Sequence, residues 1–174
     1  MLRYENPFVA PPEARDPARR LRGRLPAPVT VWTSGGGGGP VGLTVSSILV
    51  AEGEPAQVLG LIGPLSDLWE GLESTGSFVV HVLGEDDRAL ADRFSGARPG
   101  LGGPFGGLTP ASTPYGPLLP GAFTWAGCRL AGASDAGHHL LVRGTIEEVH
   151  LEAKGHPGPL VHLGGRYRRL ARER

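Results

Sequence analysis

Two periodicities divide the chain. Pro28 to Thr33 is β-branched and aromatic, and Val41 to Leu49 alternates apolar and small polar residues. Both stretches predict strands. Between them stand five glycines closed by Pro40. A run without side chains has nothing to pack, so it predicts the long tip of a β-hairpin. Gln57 to Ile62 (QVLGLI) predicts a buried strand ended by Gly63 and Pro64. Phe78 to Leu83, Ala122 to Ala131 and His139 to Leu151 predict three more, with a turn at 134–138 between the last two. A turn at 154–159 leads to a strand from Leu160 through His162. A short strand over Tyr167 to Leu170 closes the pattern.

Helical spacing is sparser. Asp16 followed by Pro17 is a helix start, and Ala14, Ala18, Leu21 and Leu25 predict a helix over 17–23 packed on the sheet. Ser66 predicts the N-cap of a helix over 67–74, and Glu85 to Phe94 predicts a third. Residues 1–12 read as an extended arm. In 96–121, 14 of 26 residues are Gly or Pro, which predicts an irregular loop long enough to lie over a site as a lid. About seven strands in sequential adjacency, with three short helices, fit a mainly β fold. The expectation is an antiparallel barrel with peripheral helices, as one domain over 1–174.

Composition narrows the function. With 29 Gly and 17 Pro the chain is turn-rich. Seventeen basic and seventeen acidic residues cancel, so no overall field draws it to nucleic acid or membrane. Five arginines between Arg15 and Arg24 read as a solvated helix face. The single Cys128 fits a reducing compartment. No stretch has the length of a membrane span or the pattern of a secretion signal, so a cytoplasmic protein is expected.

Strong catalytic motifs are missing. The glycine run begins a dinucleotide fingerprint but meets Pro40 and then a strand. There is no GxxxxGK, CxxC, HExxH or GxSxG, and the six histidines show no metal spacing. Chemistry, if any, belongs to a bound cofactor. Alternation places Gly42, Thr44 and Ser46 on one face of their strand, and Leu43, Val45 and Ser47 on the other. A small, hydroxyl-bearing face admits a flat ligand closely and hydrogen-bonds it. The same pattern is the default of a half-solvated antiparallel sheet. The amides preceding the helix after Ser66 offer an anion site, or plain capping by that serine.

Taken together, several segments resemble the flavin reductase family of FMN-binding split barrels. LPAPVTVWT, the Gly42–Ile48 strand, Ser74 to Leu83 with Arg93-Phe94 after it, Gly137-His138-His139 and Gly165-Arg166-Tyr167-Arg168 are similar to that family's motifs, in order. The resemblance runs from about Leu21 to Leu170 and implies an FMN-binding split barrel. It implies NAD(P)H-dependent reduction of FMN, with FAD or riboflavin as related flavins and NADH or NADPH as donor. It also implies a homodimer and a partner monooxygenase. By resemblance, Gly42, Thr44, Val45, Ser46 and Ser47 lie against the flavin, Gly63 and Ser66 near its phosphate, and Tyr167 at the closing motif. His139 matches the family's histidine near flavin and nicotinamide. An Asn of the family is His81 here and an Asp is His138. The phosphate turn, Gly63-Pro64-Leu65, carries no basic residue, which implies either weaker affinity for the phosphate or an arginine from elsewhere that supplies the charge. The alternative function is a non-catalytic FMN carrier or sensor.

Overall fold

The computed structural model describes residues 16–97, 101–122, 124–152 and 158–170. The elements in order are α1 (Pro17–Arg22), β1 (Ala27–Pro28), β2 (Thr30–Ser34), β3 (Val41–Val45), β4 (Ile48–Ala51) and β5 (Gln57–Ile62). Then come α2 (Asp67–Thr75), β6 (Ser77–Val82), α3 (Arg88–Phe94), β7 (Ala111–Thr113) and β8 (Gly116–Leu118). The chain continues with β9 (Trp125–Ala136), β10 (His139–His150), β11 (Val161–Leu163) and β12 (Arg166–Arg168). The extended arm and most of the turn at 154–159 fall outside the described residues.

Seven strands form one antiparallel sheet in the order β3-β2-β6-β9-β10-β5-β4. Its two edges, β3 and β4, are consecutive in sequence, separated only by Ser46 and Ser47. A sheet whose first and last strands are two residues apart has to curl, and this one is a mainly β half-barrel with its seam at those serines. The curl encloses one core. Trp32 and Phe78 stack at 4.9 Å with Ile62, Val58, Val142 and Cys128 around them. A second core lies outside the barrel wall, where Val29, Val31, Leu83, Ala91, Phe94, Leu119 and Leu160 meet. β2 is buried along its whole length because both its faces are covered.

Several expectations need correction. The strand predicted over Val41 to Leu49 is two strands, broken at the seam. β9 runs on to Ala136, and only Gly137 and His138 form its hairpin loop. Gly137 takes a positive φ of 61° at the first loop position, which suits a tight two-residue turn and needs no longer one. α1 is capped by Asp16, as expected, but buries none of its residues, and Leu21 stays 63% exposed. It does not pack on the sheet. The Gly/Pro-rich segment is not wholly irregular: β7 and β8 pair within it. It is docked on the barrel, with Phe105 edge-on to Phe94, Tyr115 buried, and the Thr33 hydroxyl donating to the Pro117 carbonyl at 2.6 Å. Among the described residues no helix is long and apolar enough to cross a membrane.

Candidate flavin site at the barrel seam

Thr44, Val45, Ser46, Ser47, Gly63 and His139 line one cleft of about 170 Å³ at the seam. Leu43, Leu61 and Arg22 complete its walls. The sheet supplies the two sides from distant parts of the chain. β3 and the Ser46-Ser47 link form one side, and the end of β5 with the start of β10 forms the other. Leu140 pairs with Ile62, which brings His139 beside the β5 terminus. His138, next to it in the hairpin loop, is exposed and does not line the cleft.

The hydroxyls are not equivalent. Thr44 Oγ1 donates to the Ala91 carbonyl of α3 at 2.7 Å. Ser47 Oγ donates to the Leu61 carbonyl and accepts from the Leu61 amide, clasping β5 to the seam. Ser46 has no hydrogen bond from its hydroxyl to another described residue. A half-buried hydroxyl in a cleft without an internal partner is a donor and acceptor available to a ligand. Gly42 and Thr44 share a face of β3 as expected, but α3, not a ligand, covers that face, and Ser46 and Ser47 lie beyond the end of the strand. Gly42 lies under Phe94: a Cβ there would sit 2.8 Å from the ring. Thr44→Val is accordingly a stability variant. It should lower unfolding free energy by about 1 kcal/mol, because the Ala91 carbonyl loses its side-chain donor. Urea unfolding measures this, and an unchanged midpoint would refute it.

Gly42, Ser66 and Tyr167 lie away from the cleft lining. Ser66 caps α2: its Oγ accepts from the Trp69 amide at 3.2 Å and donates to the Gly63 carbonyl at 2.8 Å. Asp67 and Glu70 already place negative charge in the first turn of α2, so its N-terminus is poorly suited to phosphate. Tyr167 packs by the outer core, with Arg88 5.8 Å above its ring and His162 at 5.6 Å. Arg22 was missed as a cleft residue. Its signal in the sequence is the arginine run, which by net charge and helical spacing reads as a solvated face.

His81 is a structural residue. It is 1% exposed, its Nδ1 lies 2.9 Å from the Val31 carbonyl, and its Nε2 accepts from the Leu119 amide at 3.1 Å. Since Nε2 accepts, the proton must sit on Nδ1, which donates to Val31. Burial lowers its pKa to about 4 against the pull of the Val31 carbonyl, so the ring is neutral near pH 7.

The flavin reductase like domain family matches residues 22–171. The chain belongs to this family. Among curated relatives of this flavin reductase domain is the NADH-dependent FMN reductase AsuE2 of Streptomyces nodosus subsp. asukaensis. It is 36% identical, with 87% of this chain and 83% of that protein aligned. The reductase subunit HsaB of a flavin-dependent monooxygenase from Mycobacterium tuberculosis is 29% identical, covering 86% of this chain and 79% of HsaB. Of solved structures, the NADH:FAD oxidoreductase SgcE6 of Streptomyces globisporus C-1027 superimposes with a TM-score of 0.77 at 27% identity. That alignment covers 94% of this chain and 98% of SgcE6.

Proposed function

We propose that the protein is an NAD(P)H:flavin oxidoreductase that binds FMN at the seam cleft and reduces it by hydride transfer. The observation that carries this is the cleft itself. Residues expected from sequence to hold flavin, Thr44 to Ser47 and Gly63, converge there from two separate segments beside His139. The residues present suit the cofactor: an unengaged hydroxyl at Ser46, the flanking strand edge, and the cation of Arg22 for a phosphate. The flavin, when bound, supplies the redox chemistry by accepting hydride. The chain's own part is to hold and orient. Ser46 donates or accepts a hydrogen bond, Ser47 keeps β5 against the seam, Leu43 and Leu61 exclude water, and His139 positions the nicotinamide or donates a hydrogen bond near it.

The relatives' names support NADH as donor and FMN or FAD as acceptor. The HsaB likeness supports delivery of reduced flavin to a partner monooxygenase. A homodimer is also proposed. A cleft of about 170 Å³ is smaller than the about 300 Å³ at which ligand pockets begin, so a second wall has to come from elsewhere. Leu49, Val50 and Leu65, exposed around the seam segment and β5–α2 turn, offer apolar surface for a second copy. A cytoplasmic location accords with the free, buried Cys128.

Rapid NADH oxidation on addition of FMN tests the assignment. FMN binding without NADH oxidation would favour the carrier or sensor reading instead. Ser46→Ala should weaken FMN binding by about 0.5–1.5 kcal/mol while leaving thermal stability in place, since no internal bond is lost. Flavin fluorescence quenching reads the first quantity and calorimetry the second. Lost stability with unchanged affinity would return Ser46 to a purely structural role. Gel filtration tests the dimer, and a monomer at micromolar concentration would remove that part.

A further inference from the structure

A groove of about 450 Å³ adjoins the seam cleft. Arg19, Arg20, Arg22 and Arg24 form one wall, and His162 with the Gly164-Gly165 turn forms the other. The Gly164 amide donates to the Gly23 carbonyl at 2.9 Å, joining the two walls. Arg22 borders both the groove and the cleft.

Among the described residues no carboxylate neutralises this charge: none of the four guanidiniums forms an ion pair, whereas Arg88, Arg129 and Arg169 do. α1 buries no residue, so its arginines are not stems covering a core. Favourable interaction with the C-terminal end of the helix accounts for cations in the last turn. It is opposed by repulsion between like charges spaced three apart on the helix, as Arg19 is from Arg22. Planar guanidiniums in a concave, unneutralised cluster match the geometry of phosphate oxygens.

We propose that this groove binds the phosphate groups of a nucleotide whose ring system occupies the seam cleft, with Arg22 at the junction. The inference rests on the flavin reductase reading and deepens it. It supplies the cation that the Gly63-Pro64-Leu65 turn lacks. The phosphates belong either to the flavin's tail or to the pyrophosphate of the nicotinamide dinucleotide. Concavity and continuity with the cleft favour a small nucleotide over an acidic protein surface.

The test is the triple variant Arg19→Gln, Arg20→Gln, Arg24→Gln, all at exposed positions, with Arg22 left intact. Its dissociation constants for riboflavin, FMN and FAD are compared with wild type, as are its KM values for NADH and for a phosphate-free N-benzyl dihydronicotinamide. At least one phosphate-bearing ligand should weaken by about tenfold or more, while riboflavin and the benzyl donor change by less than about twofold. Raised salt should reproduce the loss in the wild type by screening. Weakened FMN or FAD assigns the groove to the flavin tail, and a raised KM for NADH with unchanged flavin affinity assigns it to the dinucleotide. Unchanged constants for all ligands would overturn the proposal. A separate arm is independent of flavin: inorganic pyrophosphate should raise the melting temperature of wild type and not of the variant. Wild type that binds no flavin yet responds to pyrophosphate would sink the flavin reading and keep the groove. No response to pyrophosphate, in wild type that does bind flavin, would count against the groove alone.

Discussion

Acidification from about pH 6.5 to about pH 4 should cost this protein on the order of 3 kcal/mol of stability through His81. The folded state holds the ring with a pKa near 4, against 6.5 for the unfolded chain. Between those values the unfolded chain binds the proton and the folded protein refuses it. Stability is therefore fully present above pH 6.5, falls through the window, and levels off below pH 4 as far as this residue is concerned. The cause is specific. Burial withholds solvation from the charged ring, and a proton on Nε2 would also turn the acceptor of the Leu119 amide into a donor facing a donor. His81→Gln keeps a donor and an acceptor at the position but cannot titrate, so it should flatten this part of the profile. Urea midpoints at about pH 7 and about pH 4.5 measure the difference. Parallel pH profiles for variant and wild type would show that other groups govern acid unfolding.

His139→Ala should lower NADH-dependent flavin reduction by about tenfold or more, equivalent to roughly 1.4 kcal/mol of transition-state stabilisation. FMN affinity should change less. His139 opens β10 and lines the seam cleft, whereas His138 sits exposed in the two-residue loop outside it. His138→Ala is thus the internal control and should stay close to wild type. Hydride transfer removes no proton from a substrate carbon by a base, so the histidine's contribution is positional and should appear in the reduction rate at saturating FMN. Stopped-flow reduction of both variants reads it. Equal, near-wild-type rates would exclude His139 from the reaction.

The barrel was legible because its strands announce themselves locally. The β2–β3 and β9–β10 hairpins are short-range, and alternation along them correctly sorted Gly42 and Thr44 from Leu43 and Val45. What alternation cannot reveal is the occupant of each face. Phe94 covers Gly42 and Ala91 takes the Thr44 hydroxyl, and both belong to a helix some fifty residues away in sequence. Ser46 stood out no more than its neighbours in the sequence. It differs because the strand ends at Val45, and that ending comes from closure of the sheet, a long-range event. The Gly/Pro content of 96–121 excluded long elements correctly, but a three-residue hairpin needs little propensity when Pro117 meets Thr33. The arginines of α1 fit a solvated face by pattern. Their position opposite the β11–β12 turn, with Arg22 also against the cleft, is a tertiary fact that the pattern does not show.

The seam also has a consequence for exchange kinetics. β3 is held laterally by β2 alone and β4 by β5 alone, so both edges should open by fraying while the central strands remain closed. A ligand seated across Val45, Ser46, Ser47 and Leu61 touches β3, the link that leads into β4, and β5. Binding would slow amide exchange in β3 and β4 together, including at positions it never contacts, and leave the interior β6 and β9 amides governed by global unfolding. The two-residue link would then act as the point where occupancy of a small cleft is converted into protection of both edges of the half-barrel.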